Sequence, residues 1–156
     1  MKEALENIAK NYDFCIIDTP PALGILTINA LTACDEVLIP VDPELFAITG
    51  LNDLMDSIEK VRESLNTTVK IGGILFVKCI ARTNLYKTAR QNIKEYFPAV
   101  PIFKSVIPLT VKVGEANNAS MAVAEFEKFN PAAAAYMELA KEVAFNGKNE
   151  TTDKIA

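Results

Sequence analysis

Residues Tyr12-Asp13-Phe14-Cys15-Ile16-Ile17 lead without a polar alternation into Asp18-Thr19 and the pair Pro20-Pro21. A continuous apolar run of this length, bounded by turn residues, predicts over 13–17 a β-strand covered on both faces. The two prolines lack an N–H and hold φ near one value, so the ladder must stop there. A strand buried on both faces belongs inside a parallel sheet, and parallel neighbours are joined by crossovers that place helices against the sheet.

The rest of the chain supplies those crossovers. The pattern predicts helices over 2–10, 23–33, 44–65 and 84–97, a short one ending near Met121, and one opening at Asn130-Pro131 and running to about Phe145. Strands are predicted over 36–41, 69–77 and 102–107. In the third helix Leu51, Leu54, Met55, Ile58, Val61 and Leu65 fall on one stripe. Leu85, Ala89, Ile93 and Tyr96/Phe97 do the same in the fourth. Asn130 before Pro131 is a helix cap followed by proline at the first helical position. Strands alternating with helices imply right-handed βαβ units and an α/β fold, a mostly parallel sheet flanked by helices in three layers. One domain is expected over 1–146, with a polar tail over 147–156. The first recognisable strand is central in character, yet few residues precede it.

Charge is unevenly placed. The net charge is −4, but residues 78–112 hold seven basic groups and one acidic one. Lys87, Arg90 and Lys94 repeat at i, i+3 and i+7, on the helix face opposite the apolar stripe, and Lys78, Arg82, Lys104 and Lys112 are near in sequence. This reads either as a solvated helix face or as a surface for phosphates. There is no histidine, which removes imidazole bases and His-ligated metals. Cys15, Cys34 and Cys79 fit no zinc or redox spacing and are expected to be inert apolar residues. The acidic, amphipathic start Met1-Lys2-Glu3-Ala4-Leu5-Glu6 is not a signal peptide, and no apolar run has the length of a membrane span, so a cytoplasmic location is expected.

Ligands of parallel sheets bind beyond the carboxyl ends of the strands. Asp18 stands just past the first predicted strand, where an acid can hold magnesium directly or through water, with the Thr19 hydroxyl beside it. The plain alternative is an Asp-Pro strand end. No residue is assigned a catalytic role.

Tyr12 to Pro21 with Leu23 to Leu31, then Asp35 to Val41, Glu44-Leu45-Phe46-Ala47, Gly73-Ile74-Leu75, Arg82-Thr83-Asn84-Leu85, Val106-Ile107-Pro108 and Glu115-Ala116 together resemble the ParA/Soj-type ATPases of chromosome and plasmid partitioning. The resemblance runs over about residues 10–145. It implies a Rossmann-like fold of the P-loop NTPases. Asp18, Thr19 and Pro20 would belong to the second nucleotide motif and switch, with Asp18 on the magnesium side, holding the ion through water. Pro108 would border the adenine. Lys87, Arg90 and Lys94 would contact double-stranded DNA without sequence preference. The implied cofactors are ATP and magnesium. The implied partners are a second copy of the chain or a complementary amino-terminal fragment, a ParB-like protein, and nucleoid DNA.

Two departures qualify this. None of the six glycines opens a G-x-x-x-x-G-K-[ST] element, the loop that cradles phosphates in such proteins. The chain therefore resembles the carboxy-terminal portion of the family, without the amino-terminal strand and its loop, and is expected to lack ATPase activity alone. Leu109-Thr110 stand where the family usually has Arg-Asn. The same features fit a non-catalytic regulatory or interaction module that keeps the fold. A membrane-cycling MinD-like role is disfavoured, because residues 146–153 have no apolar face.

Overall fold

The structure, a computed structural model, describes residues 1–44, 48–80 and 83–152. Its helices are α1 (Lys2–Glu6), α2 (Ile25–Ala33), α3 (Ile48–Ser64), α4 (Asn84–Tyr96), α5 (Val111–Asn118), α6 (Val123–Phe126) and α7 (Pro131–Thr152), with a 3-10 turn at Ala9–Asn11. The strands are β1 (Glu36–Val41), β2 (Lys70–Cys79) and β3 (Ile102–Pro108), in the sheet order β1-β2-β3. The Lys70 N–H donates to the Asp35 carbonyl at 3.0 Å, so β1 and β2 start side by side. β2 pairs parallel with β3 through Ile74↔Ile102, Phe76↔Val106 and Cys79↔Pro108. The expected α/β sheet flanked by helices is therefore present. The described residues group into two compact units, those within 1–38 and 48–72 and those within 39–44, 73–80 and 83–152.

In the first unit, Thr27, Ala30 and Leu31 bury one face of α2, while Leu51, Ile58 and Val61 bury one face of α3. The apolar positions of α3 fall on one face and make that helix amphipathic, whereas α2 carries apolar residues all round, with Ile25 and Leu26 exposed. The Thr27 hydroxyl donates to the Ala22 carbonyl at 2.7 Å and fixes the entry of α2. Its exit is closed from a distance. The buried Asn66 amide donates to the Leu31 and Cys34 carbonyls at 2.9 and 2.8 Å, and its oxygen accepts from the Thr68 hydroxyl at 3.0 Å. Those carbonyls end a helix and have no partner within it, so the side chain satisfies groups that burial would otherwise penalise. Leu65, expected on the α3 stripe, lies past the end of the helix and is exposed.

In the second unit, Leu75, Phe103 and Ile107 form a core against which Val77, Ala135, Leu139 and Val143 pack, so α7 lies along β3. Asn130 caps α7 by accepting the Ala132 N–H at 2.9 Å, as the Asn-Pro pair predicted. The helix then continues to Thr152 rather than ending near Phe145. No proline stops it, and Lys, Asn and Glu after Gly147 tolerate helix.

Between Ile74 and Phe76 the partner on β3 advances from Ile102 to Val106, so β3 carries extra residues there. At that irregularity the successive N–H groups of Lys104 and Ser105 donate to the two Glu142 oxygens at 2.8 and 3.0 Å, and the Ser105 hydroxyl donates to one of them at 2.8 Å. Burial pushes the Glu142 carboxyl up, but these donors and the Lys104 charge outweigh it, and it ends below the usual carboxylate range. A folded pKa below the unfolded one stabilises above the unfolded value and is lost as pH falls through the folded one. Glu142→Gln is expected to lower stability by about 1 kcal/mol at neutral pH, discounted for the group's partial exposure, and to flatten the loss of stability on acidification. Urea titrations of both proteins at neutral and acid pH check this.

The expected strand over 13–17 is not formed. Residues 14–20 lie in no helix or strand, and Tyr12, Phe14 and Ile16 are 70%, 56% and 94% exposed. A strand exists only against a neighbour that completes its backbone hydrogen bonds. Among the described residues none of the three strands pairs with this segment. The apolar run carries the propensity, but the ladder has no second rail.

Candidate functional site

Asp18, Thr19 and Pro20 follow this unpaired segment, and all three are exposed. Among the described residues Asp18 makes no hydrogen bond or ion pair, and no cluster of three or more acidic, Cys or His residues could hold a metal ion. Asp18 alone offers one carboxylate, whereas magnesium demands near-octahedral oxygen ligands shared with a phosphate. The residues present therefore do not by themselves fit magnesium or a triphosphate. The backbone cradle and lysine of a phosphate loop would be needed to offset the phosphate charge.

Pro108 closes β3 opposite Cys79, and the next N–H, of Leu109, donates to the Cys79 carbonyl at 2.9 Å. The basic residues do share one helix. Thr83 caps α4 by accepting the Tyr86 N–H at 3.3 Å, while Ala89 and Ile93 are buried beneath it. Lys87 and Lys94 are exposed. Arg90 is half-buried and donates to the Tyr86 hydroxyl at 3.3 Å, so it sits on the flank of the apolar stripe rather than opposite it. Leu85 and Tyr96, expected on that stripe, are exposed. At 100° per residue Leu85 and Tyr96 fall on the same side of Ala89, but they stand at the two ends of α4, whose buried residues are Ala89 and Ile93. Arg82 lies outside the described residues, as do Leu45, Phe46 and Ala47.

Sequence reasoning missed a cleft at the carboxyl ends of β1 and β2. It is lined by Pro43, Glu44, Lys78, Ile80, Thr83 and Leu85. Lys78 Nζ lies 3.6 Å from Asp42 Oδ2, and the other Asp42 oxygen accepts the Glu44 N–H at 3.0 Å. Lys78 adopts φ +53°, a left-handed backbone that a non-glycine residue occupies only when its surroundings hold it there. An acid at one strand end and a lysine at another were visible separately, but nothing in the spacing joined them. Beneath them the Cys79 thiol is pushed up to about 11, first by burial and then by Asp42, so it is a poor nucleophile. Cys34 is raised too, chiefly by burial. Cys15 differs from the expectation for a covered strand: it is exposed.

A family model described as "AAA domain" matches residues 1–71. The sporulation initiation inhibitor protein Soj of Bacillus subtilis is 44% identical over 147 residues, which is 94% of this chain and 58% of Soj. The chromosome partitioning protein ParA of Caulobacter vibrioides is 37% identical over 145 residues, 92% of this chain and 54% of ParA. Among solved structures, cobyrinic acid a,c-diamide synthase of Mycobacterium smegmatis with bound ADP and magnesium superposes with a TM-score of 0.78 at 27% identity, over 94% of this chain and 52% of the synthase. The parallel α/β sheet and its likeness to nucleotide-binding structures define the chain as a Rossmann-like fold of the P-loop NTPase class. Within that class its sequence is similar to ParA/Soj-type proteins over more than nine-tenths of its length. The chain spans about half the length of the curated relatives it matches.

Proposed function

We propose that this chain is the sheet portion of a ParA/Soj-type partitioning ATPase, and that it needs a phosphate loop from elsewhere to act on ATP. The observation that carries this is Asp18: the acid assigned to the second nucleotide motif stands exposed, with no further ligand beside it among the described residues and no G-x-x-x-x-G-K-[ST] element in the sequence. In a full-length protein Asp18 would orient water on magnesium, Thr19 would add a hydroxyl, and Pro20 would hold the switch backbone; Pro108 would border the base. The ATP itself would supply the energy for a cycle of association and release on DNA. A complementary amino-terminal fragment, or a second copy, is the partner that this reading calls for, with a ParB-like protein as regulator in the cytoplasm near the nucleoid.

Calorimetry with ATP and magnesium tests the first part. The isolated chain is expected to show no submicromolar binding and no magnesium-dependent turnover. Tight binding, or turnover abolished by Asp18→Ala, refutes it. The alternative, a regulatory module without nucleotide chemistry, draws on the same missing loop. It differs in one outcome: adding a fragment that carries a phosphate loop would not restore ATP binding.

The α4 surface supports a second element of the proposal, non-specific contact with duplex DNA through Lys87, Arg90 and Lys94. Lys87 and Lys94 carry exposed charge, and Arg90 keeps donors beyond the one it gives Tyr86. Three phosphate contacts give a salt slope of about −2.7 in log–log form, so retention is expected to collapse as salt rises. Changing all three to Glu is expected to abolish retention at low salt on duplexes of any sequence. Unchanged retention would move the contact elsewhere.

A further inference from the structure

We propose that the irregularity in β3 is a preformed carboxylate-binding site, and that Glu142 is a ligand of that site tethered through α7. The Lys104 and Ser105 N–H groups each reach one Glu142 oxygen, at 2.8 and 3.0 Å, and the Ser105 hydroxyl reaches the second of these oxygens at 2.8 Å. Two separated acceptors on one planar group are what a carboxylate offers, and the Lys104 charge adds to the attraction. Successive N–H groups that converge on one point form an anion-binding concavity.

The strand builds this site without help from Glu142. Before the irregularity, the Ile74 N–H donates to the Pro101 carbonyl at 2.9 Å, and Phe103 is buried. After it, Ile107 is buried, and the Leu109 N–H donates to the Cys79 carbonyl at 2.9 Å. A regular ladder starting from Ile74↔Ile102 would set Lys104 beside Phe76, but Val106 stands there. Two residues of β3 are therefore surplus between fixed points. Flattening them into the ladder would put the Ser105 hydroxyl where Ile107 now meets Leu75 and Phe103 in the core. The surplus stays out as a bulge, and its N–H groups stay free of β2. Glu142 fills the site because α7 holds it there at high local concentration, which keeps free carboxylates out of the parent protein. The site lies within the second unit and does not depend on the ATPase reading.

The test uses the full chain and acetate as the probe, because Glu142→Ala removes the atoms of one acetate ion. The variant is expected to fold, with a lower urea midpoint than the parent. Acetate exchanged for chloride at constant ionic strength is expected to raise that midpoint. Above its dissociation constant, each tenfold rise in acetate multiplies the folding constant about tenfold. The amide resonances of Lys104 and Ser105 are expected to titrate with the same dissociation constant. The parent and Glu142→Gln, in which a side chain already fills the space, are expected not to respond. Adding Ser105→Ala to the alanine variant removes one donor to a charged group and is expected to weaken acetate about tenfold. A Glu142→Ala variant that folds in neither salt overturns the proposal, since a preformed site stands without Glu142. So does a variant stabilised equally by chloride and acetate, a parent that responds as the variant does, or resonance shifts that bypass Lys104 and Ser105.

Discussion

Phe76→Ala is expected to destabilise the second unit by about 4 kcal/mol, within the range for a buried aromatic cut to a methyl group. Phe76 is 1% exposed and lies in the middle of β2, the central strand of the sheet. Its ring meets Tyr86 edge-on, with centroids 5.1 Å apart and planes at 84°. Truncation opens a cavity that β2 cannot collapse to fill, since its backbone is held on both sides, and it removes the aromatic contact. The effect extends to the basic helix, because Tyr86 is also the residue that holds Arg90. Urea unfolding is expected to show a lower midpoint at an unchanged slope. Phe76→Leu is expected to recover most of the loss. A cost under about 1 kcal/mol for the alanine variant would contradict this packing.

Gly73→Ala is expected to cost about 3 kcal/mol. Gly73 has φ +151°, a conformation that side chains rarely adopt, and an added Cβ would lie 3.0 Å from Phe103 Cε2 and 3.1 Å from the Pro101 carbonyl oxygen. Neither neighbour can yield cheaply. Phe103 is part of the buried core with Leu75 and Ile107, and the Pro101 carbonyl is fixed by the Ile74 N–H at 2.9 Å. Backbone strain and overpacking each contribute on the order of 1–3 kcal/mol in such places. The loss is expected to appear as a reduced urea midpoint, with no compensation from the helical propensity that alanine brings elsewhere. An alanine variant as stable as the parent would mean that β2 and β3 separate more easily here than their packing indicates.

The comparison of sequence and structure turns on where the partner of each residue lies. Glu36 to Val41 was legible to the residue, and so was the start of α7, because Asn130 and Pro131 act on their own helix. Thr83 and Thr110 likewise cap the helices that follow them, α4 and α5. The register of β3 was not legible. Glu142, 37 residues beyond Ser105, fills its irregularity, and no local pattern announces a carboxylate that serves a distant strand. Asn66 reaching back to Leu31 and Cys34 is a second case. The Asp42–Lys78 cleft is a third, assembled from two strand ends. On α4 the charges were visible, but burial of Arg90 depended on which apolar residues the helix turned inward.

Residues 13–17 show the division most clearly. The sequence by itself determined that Tyr12 to Pro21 is apolar, strand-forming and ended by an acid and two prolines, and it carried the ParA/Soj likeness. These are properties of side chains and of proline's missing donor. Only the tertiary structure decided that the segment stays unpaired, with Phe14, Cys15 and Ile16 in the open and Asp18 without company. A helix closes its hydrogen bonds within its own segment, whereas a strand closes them on another, so strand propensity becomes a strand only where a neighbour is present.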